Sequence, residues 1–268
     1  EIIDAEMGFD ANGIAPSLQA DVIGDVGAYS IYPWTCALEP VQVVSFLPGP
    51  YKIGSYLGVV RGVATCKPPT GPYRGVGRPI ATFVAERLMD MGARALGLDP
   101  LEIRRRNLVR SEEFPYRIAS GIIWDKTGFV ECLDAAAEAA GYARLRIQQT
   151  DARKQGRLFG VGIASYAELT GIGSRIAVAP GMPINTGSET AKITIDSTGA
   201  ITAAFGVASH GQGLDTTLAQ IVADDLGARF EDIRIVQGDS DEVPMSAGSY
   251  ASRLALLGGG GWDAQAVD

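Results

Sequence analysis

The stretch Thr70-Gly-Pro-Tyr-Arg-Gly-Val-Gly-Arg-Pro79 runs straight into a helical segment, and it constrains this chain more than any other part. Its glycines let backbone N–H groups approach a ligand and permit left-handed backbone. Proline suits a first helical position, because its missing N–H would have no intrahelical partner there. Pro79 is therefore the expected start of a helix that runs to Leu96. The N-terminus of a helix carries partial positive charge and favours anions. The loop reads as a cradle for an anionic cofactor. Taken alone, it serves equally well as a tight packing turn with Arg74 set on a carboxylate.

Within that helix Ile80, Phe83, Val84, Leu88 and Met91 fall on one stripe of 3.6-residue period, the expected core face. Gly97 fits the position just past its end. Asp99-Pro100 restarts a short helix, with Asp as cap and Pro in the first turn. Upstream, Ala20 to Tyr32 reads as a strand that ends in a loop at Pro33-Trp34, and Tyr51 to Thr65 leans to β. Val109 to Asp125 reads as irregular. Thr127 is the expected cap of a helix with Phe129, Cys132, Leu133, Ala136, Ala137 and Ala140 on one face, ended by Gly141. Cys132 is expected in the core.

Leu158 to Tyr166 is an expected strand, and Gly171 to Thr186 an expected loop. Ala191, Ile193 and Ile195 alternate with polar residues, as in a half-buried strand. A turn at 196–199 leads to a second strand, Ala200 to Val207. Helix Leu214–Leu226 would bury Leu214, Leu218, Ile221 and Val222, and 232–237 alternates again. Strand–strand–helix–strand order implies an α+β fold, with mixed sheets and helices packed on one face. The polar stretch 144–156 divides it into two consecutive subdomains, 1–143 and 157–268.

Composition removes several function classes. A net charge of −8 speaks against a general nucleic-acid surface. No apolar run approaches the ~18 residues of a membrane span. Cys36, Cys66 and Cys132 form no CxxC pair, so no self-contained iron–sulfur or zinc module is present. Without a disulfide framework, a reducing compartment, the cytoplasm, is expected. The P-loop pattern GxxxxGK[ST] is absent, as is a GxGxxG at a strand-to-helix turn, so a simple nucleotide binder has no motif. His210, the single histidine, has no accompanying nucleophile motif and reads as a hydrogen-bonded loop residue. Asp239, Asp241 and Glu242 lack calcium-loop spacing and read as a solvated turn.

Further ordered blocks follow the first loop: Gly97-Leu-Asp-Pro-Leu-Glu-Ile-Arg-Arg-Arg-Asn-Leu108, Ser209-His-Gly-Gln-Gly-Leu-Asp-Thr-Thr217, Gly238-Asp-Ser-Asp-Glu-Val-Pro244 and Ala247-Gly-Ser-Tyr-Ala-Ser-Arg253. In this order the set resembles the molybdopterin-binding large subunit of the molybdenum hydroxylases. That family includes xanthine dehydrogenase, aldehyde oxidase and aerobic carbon monoxide dehydrogenase. The resemblance runs from about Asp21 to Gly260 and is closer to bacterial carbon monoxide dehydrogenase-like paralogues than to the animal enzymes.

The resemblance implies a molybdenum–molybdopterin cofactor in its cytosine dinucleotide form, with iron–sulfur and FAD groups on partner domains or subunits. It implies hydroxylation of an aldehyde or N-heterocycle, with water as the oxygen source. Cofactor contacts carry over to Arg74 and Gly75, to Gly211, Gln212 and Gly213, and to Ala251, Ser252 and Arg253. Arg253 and Ser252 suit a phosphate. Gln212 can donate or accept through its amide. The plainer readings are a Gly-rich helix entry with an exposed Gln, and a strand-to-helix connection with a surface Arg. Arg104, Arg105 and Arg106 look like an anion patch but are expected to pack a helix end and pair with local acids.

The substrate pocket is expected at Val76 and Gln42. Valine replaces the phenylalanine that packs on a flat heterocycle in xanthine dehydrogenases, and Gln42 falls where their purine-binding arginine would stand. A purine substrate thereby loses support. The family's upstream Gly-Gly-Gly-Phe-Gly-type loop and its late glutamate base have no counterpart here. No catalytic residue and no direct metal ligand is assigned, and the chain is expected to be a central part of a longer subunit, inactive without other segments or partner subunits. The second reading is a non-catalytic scaffold derived from this family that binds partner subunits.

Gly75 stands where copper-containing carbon monoxide dehydrogenases carry the cysteine that holds copper. Without a thiolate the loop has no soft ligand for Cu(I). Elemental analysis of the purified protein is expected to find no stoichiometric copper, and copper bound at this loop would contradict the assignment.

Overall fold

The structure, a computed structural model, describes residues 1–30, 36–171 and 189–260. The expected loop at Pro33-Trp34 and almost all of the expected loop Gly171–Thr186 lie outside the described residues. Contacts gather into two compact units, Glu1–Ala167 and Glu168–Asp268. No helix among the described residues is long and apolar enough to cross a membrane.

In the first unit, strands β1 (Ile2–Gly8), β2 (Ser17–Gly27) and β3 (Ser55–Ala64) form a mixed sheet in that order. β1 and β2 are antiparallel, while β2 and β3 are parallel, with Leu18 opposite Tyr56 and Val22 opposite Val60. A parallel pair needs a crossover, and helix α1 (Leu38–Phe46) lies between the two strands in the chain. Alternation along β2 buries Leu18, Ala20, Val22 and Val26 on one face.

Helix α2 (Arg78–Leu96) starts one residue earlier than expected and ends at a left-handed Gly97. Its buried face is not the expected stripe. Ala81, Ala85, Met89, Gly92 and Ala93 are buried, whereas Phe83 and Met91 are 68% and 54% exposed. Small residues let the helix approach its neighbours closely. A Cβ on Gly92 would sit 2.4 Å from the Phe9 ring. The sequence carries two apolar stripes of equal period, and residue size pointed to the wrong one.

Helix α3 (Pro100–Asn107) follows, with the Asp99 carboxylate accepting from Leu101 N–H as an N-cap. Helix α4 (Phe129–Ala140) begins after Gly128 with no side-chain cap, so Thr127 does not cap it. Cys132 is exposed rather than in the core. The helix buries only Leu133, and its alanine face lines an open apolar groove of about 570 Å³ with Leu101, Leu108 and Leu145. Helix α5 (Tyr142–Lys154) occupies most of the stretch read as a linker. A helix polar on most sides leaves no apolar period to detect. The expected strand Leu158–Tyr166 belongs to no ladder among the described residues, although from Val161 on its exposure alternates with period two.

The second unit repeats the chain order of the first. Strands β6 (Ala191–Ile195) and β7 (Ile201–Phe205) are antiparallel, and helix α6 (Leu214–Leu226) crosses to β8 (Ile233–Gln237), parallel to β7. (Strands β4, Tyr116–Arg117, and β5, Ile123–Trp124, form a separate two-residue pair in the first unit.) Leu214, Leu218 and Val222 of α6 pack on Ala191, Ile201, Ala203 and Phe205, as the sequence periodicity requires. The fold is thus α+β with mixed sheets.

Arg104 anchors the first unit. Its side chain is wholly buried, and all three guanidinium nitrogens are engaged. Nε donates to Glu86 Oε2 at 2.7 Å, Nη1 to Pro100 O at 2.9 Å, and Nη2 to Asp90 Oδ1 at 2.9 Å and Ile163 O at 3.0 Å. The Tyr51 hydroxyl donates to the other Glu86 oxygen. Burial pushes the Glu86 carboxyl up, against the pull of Arg104. Burial also pushes the Tyr51 phenol well up, so the hydroxyl stays a donor. Arg105 and Arg106 pair with Asp134 and Glu102, so the arginine triplet serves the fold.

Removing one member of a buried ion pair typically costs ~3–5 kcal/mol, because the other charge is left unpaired. Arg104→Ala is expected to lose that much in urea unfolding, and the double variant Arg104→Met with Glu86→Gln to recover part of it. A loss below ~1 kcal/mol for Arg104→Ala would contradict this role.

Candidate functional site

In the first unit, the loop before α2 is a run of left-handed backbone. Gly75, Val76 and Gly77 have φ of 93°, 40° and 74°. Gly77 has no alternative, since a Cβ there would lie 2.5 Å from Glu39 O and 2.9 Å from Val43 N on α1. That contact seats the loop against the helix that carries Gln42, whose side chain is buried. Arg78 N–H donates to Gly75 O at 3.1 Å, and the Arg78 guanidinium stacks 4.6 Å over the Phe46 ring. Arg74 stays exposed.

The base of this loop is braced by charge. Thr65 Oγ1 donates to Asp25 Oδ1 at 2.7 Å, and Lys67 pairs with the other oxygen. Hydrogen bonds from Lys67 and then Thr65 hold the Asp25 carboxyl down at about 2. Ala28 N–H donates to Lys67 O at 2.8 Å and Thr70 N–H to Val26 O at 3.2 Å, which fixes the loop to the end of β2. Gly27 permits the crossing, because a Cβ would lie 2.1 Å from Pro68 O.

In the second unit, two of the sequence blocks come together. β7 runs out into 206–213, which turns at Gly211 (φ 109°) and Gly213 (φ 76°) into α6. The Gln212 amide oxygen folds back to accept from His210 N–H at 2.6 Å, in an exposed side chain whose NH₂ group is a donor by chemistry. Ser249 grips the same loop twice: its Oγ accepts from Ala208 N–H and donates to Ala208 O, both at 2.7 Å. Ser209 N–H donates to Gln237 Oε1 at 2.7 Å, tying the loop to the end of β8. His210 is an exposed loop residue, and Asp239, Asp241 and Glu242 form an exposed turn.

Ala251 and Ser252 follow with φ of 53° and 52°. Of four non-glycine residues with positive φ among the described residues, Val76, Ala251 and Ser252 are three. Such backbone costs of order 1–3 kcal/mol per residue and persists where the surroundings over-determine it. Gly171 N–H pins the turn by donating to Ser252 O at 3.0 Å. Arg253 then enters the interior and pairs with the buried Glu189. A short π-helix, Leu254–Gly258, continues from it.

Two family models, both described as molybdopterin cofactor-binding domain, match residues 1–108 and 135–266. The chain belongs to the molybdopterin-binding large-subunit family of xanthine dehydrogenase and carbon monoxide dehydrogenase. It is 36% identical over 261 residues to the nicotine 6-hydroxylase large subunit of Paenarthrobacter nicotinovorans, covering 97% of this chain and 32% of that one. It is 31% identical to the carbon monoxide dehydrogenase large chain of Hydrogenophaga pseudoflava, over 96% of this chain and 32% of the relative. The crystal structure of quinoline 2-oxidoreductase from Pseudomonas putida 86 superposes with a TM-score of 0.91 at 36% identity, covering 98% of this chain and 34% of the other. The chain thus spans about a third of the length of the relatives it matches.

The residues present fit a molybdopterin cofactor. Such a group carries phosphate oxygens and hydrogen-bonding ring edges. The second unit offers Arg253 Nε and Nη2, buried donors without a hydrogen-bond partner, beside loops of left-handed backbone. Among the described residues no group of three or more His, Cys, Asp or Glu side chains is placed to hold a metal ion.

Sequence reading missed Glu189, Gln237 and Gly206, which shape this site without contributing a motif, and gave no role to Ser249 within its block. Gly206 is the sharpest case, since a Cβ there would lie 2.1 Å from Ser246 Cβ and 2.8 Å from Pro244 O. Overpacking of this kind costs typically ~1–3 kcal/mol. Gly206→Ala is expected to lower the thermal unfolding midpoint accordingly, and a variant that melts like the parent would contradict the close approach.

Proposed function

We propose that the enzyme to which this chain contributes hydroxylates an aldehyde or N-heterocycle, with oxygen drawn from water, and that this chain's share is to bind and orient the cofactor. The observation that carries the reading is the convergence of the 206–213 and 246–253 segments in the second unit, with an arginine whose donors are buried and unmatched. The names of its relatives, a nicotine 6-hydroxylase and a quinoline 2-oxidoreductase, support a heterocyclic substrate.

The cofactor in this reading is molybdenum–molybdopterin in the cytosine dinucleotide form. When bound, it supplies the oxidising centre for hydroxylation. This chain holds and aims it. Gln212 and the backbone of Gly211 and Gly213 face the pterin, where the start of α6 adds its positive end. Ser252, the Ala251 backbone and Arg253 take the phosphate part. Arg74 and Gly75 are the first unit's candidates for cofactor contact, and Val76 and Gln42 its candidates for the substrate. The left-handed turns at 75–77 and 251–252 hold backbone groups in place before binding, which removes an ordering cost.

Iron–sulfur and FAD groups on partner domains or subunits accept the electrons, and the complex works in the cytoplasm. The general base lies outside this chain's assigned residues, so turnover requires the other segments or subunits. Loss of a general base alone typically removes ~10²–10⁴-fold of rate.

The test is to purify the assembled enzyme, measure molybdenum and pterin, and assay aldehydes and N-heterocycles with an artificial electron acceptor in ¹⁸O water. Bound molybdenum with label in the product is the expected result. Residues 1–268 alone are expected to show no substantial turnover after reconstitution. An assembly without molybdenum would overturn the reading and favour a scaffold.

A further inference from the structure

Arg253 has no exposed surface, yet only one of its guanidinium nitrogens is used. Nη1 donates to Glu189 Oε1 and to Gly248 O, the latter at 2.8 Å. Nε and Nη2 are buried and have no hydrogen-bond partner. These two donors share one edge of the planar guanidinium, the edge that meets two oxygens of a phosphate or carboxylate side by side. Leaving buried charged donors unmatched is costly, so an oxygen pair belongs there.

What fixes that edge is Glu189. Its side chain is 1% exposed, and its second oxygen accepts from Ser246 Oγ. It stands just before β6, whose ladder with β7 makes its backbone a rigid mount. The Tyr250 ring, 5.1 Å from the Arg253 guanidinium carbon, restricts the guanidinium plane. One carboxylate therefore sets both ends of the segment 246–253: Ser246 at its start and Arg253 at its end.

We propose that Glu189 is a positioning residue for the cofactor. By taking Arg253 through Nη1 alone, it presents the Nε–Nη2 edge as a fork for two oxygens of a cofactor phosphate. It also holds the left-handed Ala251–Ser252 turn in place. The proposal rests on the reading of this chain as a molybdenum-cofactor binder and adds the residue that aims the anion contact. Glu189 neutralises Arg253, so recognition at this fork depends on geometry rather than on net positive charge.

The test uses the complete assembled enzyme carrying Glu189→Gln, Glu189→Asp or Arg253→Lys. Each is prepared from cells that make the cofactor and from cells that cannot. Molybdenum and pterin retained after dialysis are measured on the loaded preparations, and thermal midpoints on both. Glu189→Gln leaves a buried guanidinium unpaired and is expected to lower the midpoint of the cofactor-free enzyme. It and Arg253→Lys, which keeps a cation beside Glu189 but lacks the fork, are expected to lower cofactor retention by about tenfold or more. Glu189→Asp, which keeps the charge, is expected to restore part of it.

Equal or tighter retention by Glu189→Gln would overturn the proposal, because net charge and not aim would then govern binding. Retention by Arg253→Lys equal to that of the parent would also overturn it, because the fork would then not be what holds the anion. If the parent enzyme retains molybdenum in these cases, only this inference fails. A parent enzyme without molybdenum removes the functional reading as well.

Discussion

A guanidinium taken out of water must be met by carboxylates and carbonyls, and among the described residues each unit holds an arginine with no exposed surface, Arg104 in the first and Arg253 in the second. Desolvating a charge costs several kcal/mol and is recovered only where geometry supplies opposing charge and hydrogen bonds. In the first unit Arg104 is finished: Glu86, Asp90, Pro100 O and Ile163 O occupy all its nitrogens. It joins α2, α3 and the extended segment at Ile163. In the second unit Arg253 is unfinished, with Glu189 and Gly248 O on one nitrogen and an edge left open. In the reading proposed above, the contrast separates a residue that serves the fold from one that meets a ligand.

The two units share the order strand, antiparallel strand, crossover helix, parallel strand. Each keeps its middle strand flanked on both sides, and a sheet built this way is a stiff mount for the loops at its strand ends. The loops with left-handed backbone leave these mounts directly: the Arg74 loop after β3, and the Gln212 loop after β7. Glycine is spent where chains must cross closely, at Gly27, Gly77 and Gly206. Rigid sheets with strained turns at their ends suit a site that must be shaped before its cofactor arrives.

Much of this was legible in the sequence. Helix α6 falls on its expected bounds, because Leu214, Leu218 and Val222 form the only strong stripe in that window. The capped start of α3 was legible from Asp99-Pro100. The buried face of α2 was not, since Ala81, Ala85 and Gly92 carry little hydrophobic signal beside Phe83 and Met91. Helix α5 hid behind its polarity, and α1 went unread altogether. Leu158–Tyr166 has the alternation of a strand, but a strand is defined by a neighbour and the pattern does not supply one. At the candidate site the motif residues were visible and their supports were not. Nothing in the neighbourhood of Glu189 marks it as the partner of a residue 64 positions away.

The central proposal is that the second unit's blocks around Gln212 and Arg253 hold a molybdenum cofactor. Anomalous diffraction at the molybdenum edge from crystals of the assembled, loaded enzyme measures this directly. The predicted result is a molybdenum position whose pterin cofactor is reached by Gln212 and by the Arg253 fork. Cofactor density away from Gln212 and the Arg253 fork would contradict it.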